Sequence, residues 1–506
     1  MNDYGVDLEG ISRRLFPYYL FVIFWAPIPF GSNRPWAWGL LALFCFALLF
    51  IYFWNFAREN LRPPKLTADA RVILLLLCTW ILYQFAQVFP IPVELLNFIS
   101  PKTVELKQQA LGITDASLLA LSFDVSNSWQ AIAKSSIYAA IFFLTICLVN
   151  SRDKMRHLLI AIAFIGVLQA IWGLSVAFLQ NSESLYSSEY QFIEAVKGTF
   201  VNRNHFGGFI NIAIAATIGL MLCVGIKEKR QIHREANLTA WQSRTLDWRI
   251  YLVPYFGLLV LALIFCLSRG ALAAFIVMLL AMGNCFVMVK ENRNTIYQNF
   301  KWAIWLTILL LVFGGANFLS DQLAEINGDF NARMDLWGNS YHLIKDFWLT
   351  GVGSGNFQHV YPLYDSGEMP FRHSGPMPLK LIHAHNDYLE LMAEHGAIGM
   401  ILLGSVVLIC LKNAFNAIRR FKTVSQSAYA IVAIMGASGF LAHAFVDFNF
   451  QIPSNALYFF VLLALGLLQG MDSVHHEVRD AVWEESKFNS RHSGFQKVHT
   501  RIAHPK

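Results

Sequence analysis

A helix needs about 20 mostly apolar residues to cross the hydrocarbon core of a bilayer, and this chain offers a series of such stretches. They start near Leu15, Trp36, Val72, Trp129, His157, His205, Tyr251, Gly270, Trp302, Tyr388, Ala428 and Leu457. Inside hydrocarbon every backbone N–H and C=O must find a partner within the protein, which leaves helices or closed barrels as spanning structures. Stretches of this length read as helices rather than strands. The expected fold class is all-α: a polytopic transmembrane helix bundle of about 12 spans. Composition points the same way. Of 506 residues, 56% are hydrophobic and 14% charged, against roughly 25% charged in a soluble domain. A net charge of +6 is a weak case for nucleic acid, because the basic residues form short runs between apolar stretches, where they orient spans.

With the N-terminus placed inside, most of the 39 Lys and Arg fall in inward segments, among them Arg13 and Arg14, Arg152 to Arg156, Lys227 to Arg249 and Lys412 to Lys422. Both termini are therefore expected to be cytoplasmic. The first apolar run, from Leu15, is expected to be an uncleaved span interrupted by Pro27 and Pro29 rather than a signal peptide. All seven cysteines lie within apolar stretches at no zinc-like spacing, and read as packing residues.

Two outward segments are long: residues 90–128 and residues 320–386. The second is expected to hold a short helix from Ala332 to Phe347 and a glycine turn, Gly351-Val352-Gly353-Ser354-Gly355. Its aromatic content predicts an ordered, lid-like loop. Residues 1–471 thus form one membrane domain. Residues 472–506 read as a disordered cytoplasmic tail, whose scattered histidines make a poor metal site.

Ionisable residues within a membrane domain default to function. An ion-coupled transporter is expected to hold some of them near the midplane. Here they gather at the outer boundary instead: Arg203, Arg269, Arg333, Arg372, His383, His385, Glu390, Glu394, His443 and Asp447, with Lys134 a short way into its span. The planar fork of arginine suits phosphate oxygens. A cationic layer at headgroup level suits a substrate with a lipid tail in the bilayer and a diphosphate at its surface. Set against this, an arginine at a span end often snorkels or pairs with a carboxylate.

The sharpest segment runs from His383 through Ala384, His385, Asn386 and Asp387 to Gly399. Asp387, Glu390 and Glu394 share one helix face, from which a carboxylate can orient a histidine and raise its basicity. A neutral histidine there can take a proton from a sugar hydroxyl as general base. Two histidines two residues apart, with no third ligand at a standard spacing, make a metal site the weaker reading. An interfacial histidine with a purely structural part is the bland alternative.

These motifs resemble the O-antigen ligase and polymerase superfamily of bacterial membrane glycosyltransferases. The signature of that family is His, then Asn, Ser or Gln, then nine residues, then Gly-x-x-Gly. His385-Asn386, the stretch Asp387 to His395, and Gly396-Ala397-Ile398-Gly399 match it throughout. Gly198 to Phe206 (with Arg203, Asn204 and His205), Leu267-Ser268-Arg269-Gly270, Arg333 to Trp337, Gly353 to Phe357 and Asp447 to Pro453 follow in family order. The resemblance covers residues 197–463.

It implies transfer of a glycan from undecaprenyl diphosphate to a sugar hydroxyl, either on a lipid A core (a ligase) or on a growing chain (an O-antigen or exopolysaccharide polymerase). The reaction is expected at the periplasmic face of the bacterial inner membrane, with inversion, and without a nucleotide sugar, cofactor or essential metal. Carried onto this chain, His385 is the expected catalytic base. Arg203 and Arg269, with Arg333 and Arg372 behind them, are the expected diphosphate grip. His383, Asn386, Glu390, Glu394, Lys134 and Asn204 are expected to support them. A polysaccharide transporter is the alternative from another class.

Overall fold

A computed structural model describes residues 6–59, 66–112, 116–180, 195–223, 249–289, 331, 333–365 and 382–472. The expected span near Trp302, Arg372 and the tail beyond Asp472 lie outside the described residues. The fold is an all-α helical bundle. Its long helices are α1 (Val6–Trp25), α2 (Pro35–Arg58), α3 (Ala68–Val88), α6 (Val125–Leu148), α7 (Arg152–Gln180), α8 (Arg203–Leu222), α9 (Arg249–Phe265), α10 (Arg269–Met288), α13 (Asp387–Arg420) and α14 (Val424–Ala444). A last helix, α15, covers Pro453–Asp472. Among the described residues, nine helices are long and apolar enough to cross a membrane.

One expected span differs from its sequence reading, and another is shorter than a full crossing. α1 starts upstream of Leu15 and carries Glu9, Arg13 and Arg14 in its first half, so it falls outside the nine by charge. α9 stops at Phe265 because Leu267 takes a left-handed turn at φ 54°, which leaves its apolar part short.

The helices begin where short polar side chains offer an acceptor to free N–H groups. Thr67 caps α3, Asp124 caps α6, Asn202 caps α8 and Ser268 caps α10. Asn386 caps α13, and Thr423 with Gln426 forms a capping box at α14. α8, α14 and α15 occupy the centre and are buried along nearly their whole length, whereas α2, α3, α10 and α13 are buried over only a minority of theirs. Without water to drive helices together, close packing by small residues holds them. At Gly166 of α7 an added Cβ would lie 2.3 Å from Ala213 Cβ of α8.

Two connections build structure at one end of the bundle. Between α3 and α6, Ile91–Pro92 (β1) pairs antiparallel with Leu118–Leu119 (β2), enclosing α4 (Val93–Ile99) and α5 (Pro101–Leu111). Leu96, Val104 and Leu121 form a small core beneath them. The second connection has a helix at residues 333–346 (α11), as the sequence predicts, then the glycine turn and the short α12 (Phe357–Val360). Leu336, Leu343, Phe347, Val352, Phe357 and Tyr361 form its own core. Asn356 joins the two connections: its Nδ2 donates to Ser122 Oγ and Ser128 Oγ, both at 2.9 Å, and its Oδ1 accepts from Asp124 N at 2.8 Å.

The second connection is also seated on α13. That helix breaks at Gly396, φ 61° and ψ −166°, which frees carbonyls that would otherwise bond within the helix. Ala393 O accepts from Val352 N at 2.8 Å and Glu394 O from Gly353 N at 3.1 Å, while Ala397 N donates to Trp348 O at 2.8 Å. Gln87 at the end of α3 closes the seat, donating to Thr350 O and Glu394 O and accepting from Ser354. The two signature glycines thus serve the backbone. Gly396 makes the break, and at Gly399 a Cβ would lie 2.2 Å from His395 Cβ.

Cys45, Cys266, Cys285 and Cys410 are buried, as expected of packing residues, whereas Cys78 is exposed on the outer face of α3.

Candidate functional site

The start of α8, the segment before α13, the end of α14 and the turn before α15 meet at that same end. The turn carries Asp447-Phe448-Asn449, and three histidines surround its Phe448 ring. His383 stacks on it at 4.3 Å between centroids, and His205 and His385 meet it edge-on at 4.5 and 4.8 Å. The adjacent Asp447 carboxylate faces two of those histidines. Its Oδ1 lies 3.7 Å from His385 Nδ1 and 3.7 Å from His205 Nε2. These are ion-pair distances, longer than formed hydrogen bonds. Phe448 N donates to the same Oδ1 at 2.8 Å.

Exposure divides the roles. Asp447 and His205 are buried, while the His385 side chain is 33% exposed although its Nδ1 is enclosed. The imidazole therefore turns one nitrogen toward a buried carboxylate and leaves its other edge open. His385 holds a left-handed φ of 49°, a conformation that strains a residue with a Cβ and that surrounding structure must impose. Asn386 supplies part of that constraint, since its side chain accepts from Tyr388 N and Leu389 N and fixes the start of α13 directly after the histidine. Burial works against an ionised Asp447, yet the His205 and His385 nitrogens directed at it, with His443 nearby, hold its carboxyl well below the usual carboxylate range. It is an anion facing imidazoles, the arrangement that fixes a tautomer and raises basicity.

The rest of the cluster is short of protein partners. His443 Nδ1 and Nε2, His205 Nε2, Asp447 Oδ2, Asp387 Oδ1 and Asn449 Nδ2 are buried without a hydrogen bond to the described residues. Small residues give His443 its room. A Cβ at Gly208 would lie 3.2 Å from its Nδ1, and one at Gly270 3.2 Å from its Nε2. Asn455 ties the base of the cluster, donating to His205 O and Asn449 Oδ1.

The structure redistributes the carboxylates that the sequence grouped on one helix face. Glu390 Oε1 bonds His383 Nδ1 at 2.8 Å, and its Oε2 accepts from Ala384 N at 2.9 Å, so its histidine is His383 rather than His385. Burial lowers the proton affinity of His383, but Glu390 outweighs it and raises the pKa above the usual histidine value. Asp387 Oδ2 accepts from Phe450 N at 3.0 Å. Glu394 points to the loop seat, where Oε1 accepts from Phe357 N at 3.1 Å.

The cationic residues are placed unevenly. Arg203 and Arg269 each open a helix, one residue after its cap. The first turns of α8 and α10 touch, because a Cβ at Gly207 would lie 2.5 Å from Ala271 Cβ. Asn211 Nδ2 also donates to Ala271 O at 2.9 Å. The two arginines therefore start neighbouring helices at the end that holds His385; Arg203 is exposed and Arg269 half-buried. Arg333 on α11 donates to Val446 O at 2.8 Å, which braces the turn carrying Asp447. Lys134 lies 5.7 Å from the Trp38 ring centroid, and the Asn204 backbone N–H completes the Asn202 cap.

The sequence puts His443 and Asp447 in the polar layer and His205 in the Gly198–Phe206 segment, but assigns none of them a part. The signal was present in Asp447-Phe448-Asn449-Phe450, where an acid between two apolar spans needs a partner. Which partner it finds depends on helix packing.

No curated protein matches the chain in sequence. Residues 254–404 match the family model described as O-antigen ligase, a stretch that includes Arg269, Arg333 and His385 and stops short of Asp447. Over that segment the chain is similar to the O-antigen ligase family, which supports a membrane glycosyltransferase-like enzyme.

Proposed function

We propose that this protein transfers a glycan from undecaprenyl diphosphate to a sugar hydroxyl of a lipid A core, at the periplasmic face of the inner membrane. The observation that carries the proposal is the His385–Asp447 pair, a half-exposed imidazole 3.7 Å from a buried carboxylate. In this reading His385 accepts the acceptor hydroxyl's proton on its open edge while Asp447 stabilises the imidazolium that forms. The hydroxyl oxygen attacks the anomeric carbon from the face opposite the leaving diphosphate. The carbon–oxygen bond to diphosphate breaks with inversion, and the electron pair leaves on phosphate.

Arg203 and Arg269 stabilise that developing charge. Their helices add to it: α8, α10, α13 and α15 all begin at this end, and helix N-termini favour anions. Arg333 supports the site through Val446 and the Asp447 turn, and Arg372 remains a proposed further cation.

A polymerase of the same superfamily would use the same donor chemistry and the same base. Deletion of the gene with analysis of surface polysaccharide separates the two. Loss of polymer from lipid A core, with carrier-linked polymer accumulating, is the ligase result. Cores capped by single repeat units indicate a polymerase. An unchanged surface glycan overturns both.

A further inference from the structure

The connection between α3 and α6 has two unlike faces. One side of α4 turns Leu96 into the small core with Val104 and Leu121. Its other side presents Leu95, 47% exposed, and Phe98, 87% exposed. Leu118 of β2 (55%) and Phe89 (57%) are exposed as well. α5 differs sharply, carrying Lys102, Glu105, Lys107, Gln108 and Gln109, with Lys102 Nζ paired to Glu105 at 2.7 Å. An apolar edge beside a polar helix is the pattern of a segment lying at a membrane surface.

Continuity with the lipid-facing surface identifies the partner. Leu75 and Leu82 are exposed on α3, and with Phe89 they recur every seventh residue. That spacing keeps them on one helix face, drifting by about 20° per step. The strip runs along an apolar span and off its end into Phe89, from which the chain passes almost directly into β1 and α4. Trp129, exposed near the start of α6, packs on Phe85 of α3 at 5.4 Å, and tryptophan favours the level where acyl chains meet headgroups. Gln87, in the same last turn of α3, bonds Glu394 O in α13. This edge therefore lies at the His385 end of the bundle.

We propose that Phe89, Leu95, Phe98 and Leu118 form an interfacial edge seated in the headgroup–acyl boundary of the leaflet nearest His385, with bilayer lipid as its partner. It anchors the platform that Asn356 and Gln87 lock to the second connection, and so sets the height of the candidate site above the membrane. α5, on the polar side, faces water.

Spin labels on the full chain in lipid nanodiscs test this without reference to activity. Cys78 is exposed, so the background carries Cys78→Ala. Labels are placed at Phe98→Cys, at Leu118→Cys and, as the water-facing control, at Lys102→Cys. Collision with oxygen is compared with collision with a water-soluble nickel chelate. The oxygen-to-nickel ratio at positions 98 and 118 is expected to exceed that at 102 at least about threefold, as for groups sunk ~5 Å into the interface. Equal ratios at the three positions overturn the proposal. Shielding of 98 and 118 from both reagents, with dipolar broadening, also overturns it by putting a second copy on the edge instead of lipid.

Discussion

Two buried polar regions sit a few residues apart on α13 and are built in opposite ways. In the loop seat, Gln87, Ser354, Asn356 and Glu394 are tied into a dense set of hydrogen bonds across α3, α6, α13 and the second connection. In the Asp447 cluster, His205, His385, His443, Asp387, Asn449 and Asp447 each retain a buried atom with no protein hydrogen bond among the described residues. Buried polar groups left without partners are costly, and a fold tolerates that where the groups serve chemistry. The first region holds a shape, and the second presents groups. A single helix serves both because Gly396 ends its regular bonding just after Glu394.

The contrast predicts that damage to the seat unfolds the protein, whereas damage to the cluster silences it. The largest effect is expected at the break. In Gly396→Ala the new Cβ would lie 2.3 Å from Leu349 O, at a φ of +61°. A loss of more than about 3 kcal/mol is expected, read as failure to accumulate in membranes or as a collapse of thermal stability in detergent. Normal stability would show that the seat does not depend on the break.

Asp447→Asn keeps the size of the side chain and its acceptor for Phe448 N but removes the charge facing His385. Transfer is expected to fall about 100-fold, as for loss of an effective general base, with a melting temperature close to the parent. A variant that unfolds instead would move Asp447 into the structural class. Gln87→Ala is the converse. It leaves Ser354 N without its acceptor and is expected to cost about 2 kcal/mol, while transfer per folded molecule stays near the parent value. A rate loss beyond the stability loss would tie the seat to catalysis.

The smallest effect is a pH dependence. Glu390 raises the pKa of His383, so the pair's contribution is complete below the unfolded histidine pKa of about 6.5 and is lost as pH rises through the raised folded value. Glu390→Gln should flatten that alkaline decline in unfolding measurements between mildly acidic and mildly alkaline pH. An unchanged slope would assign the decline to another group. Asp447 works in the other direction, its contribution being lost only as pH falls through its depressed value.

Much of this was legible in the sequence because bilayer thickness constrains helix length so strongly. The starts of α2, α6, α8, α10 and α13 fall within a few residues of their apolar readings, and the helix at residues 333–346 stands where its pattern put it. The His385-Asn386 pair could be read as a motif, and the structure adds that Asn386 is a cap and the signature glycines are a break. The partner of His385 was not legible. Helix periodicity groups Asp387, Glu390 and Glu394, but His385 precedes the helix and turns away from that face, toward an acid that only the packing of α14 and α15 brings near.

In the proposed reaction His385, aimed by Asp447, activates the acceptor. Its most direct test is glycan transfer by membranes carrying His385→Ala at matched protein levels, measured as polymer joined to lipid A core. A loss of at least about 100-fold is expected, with the variant still folded because the histidine side chain is partly exposed and outside the loop seat. Transfer at the parent rate would contradict it.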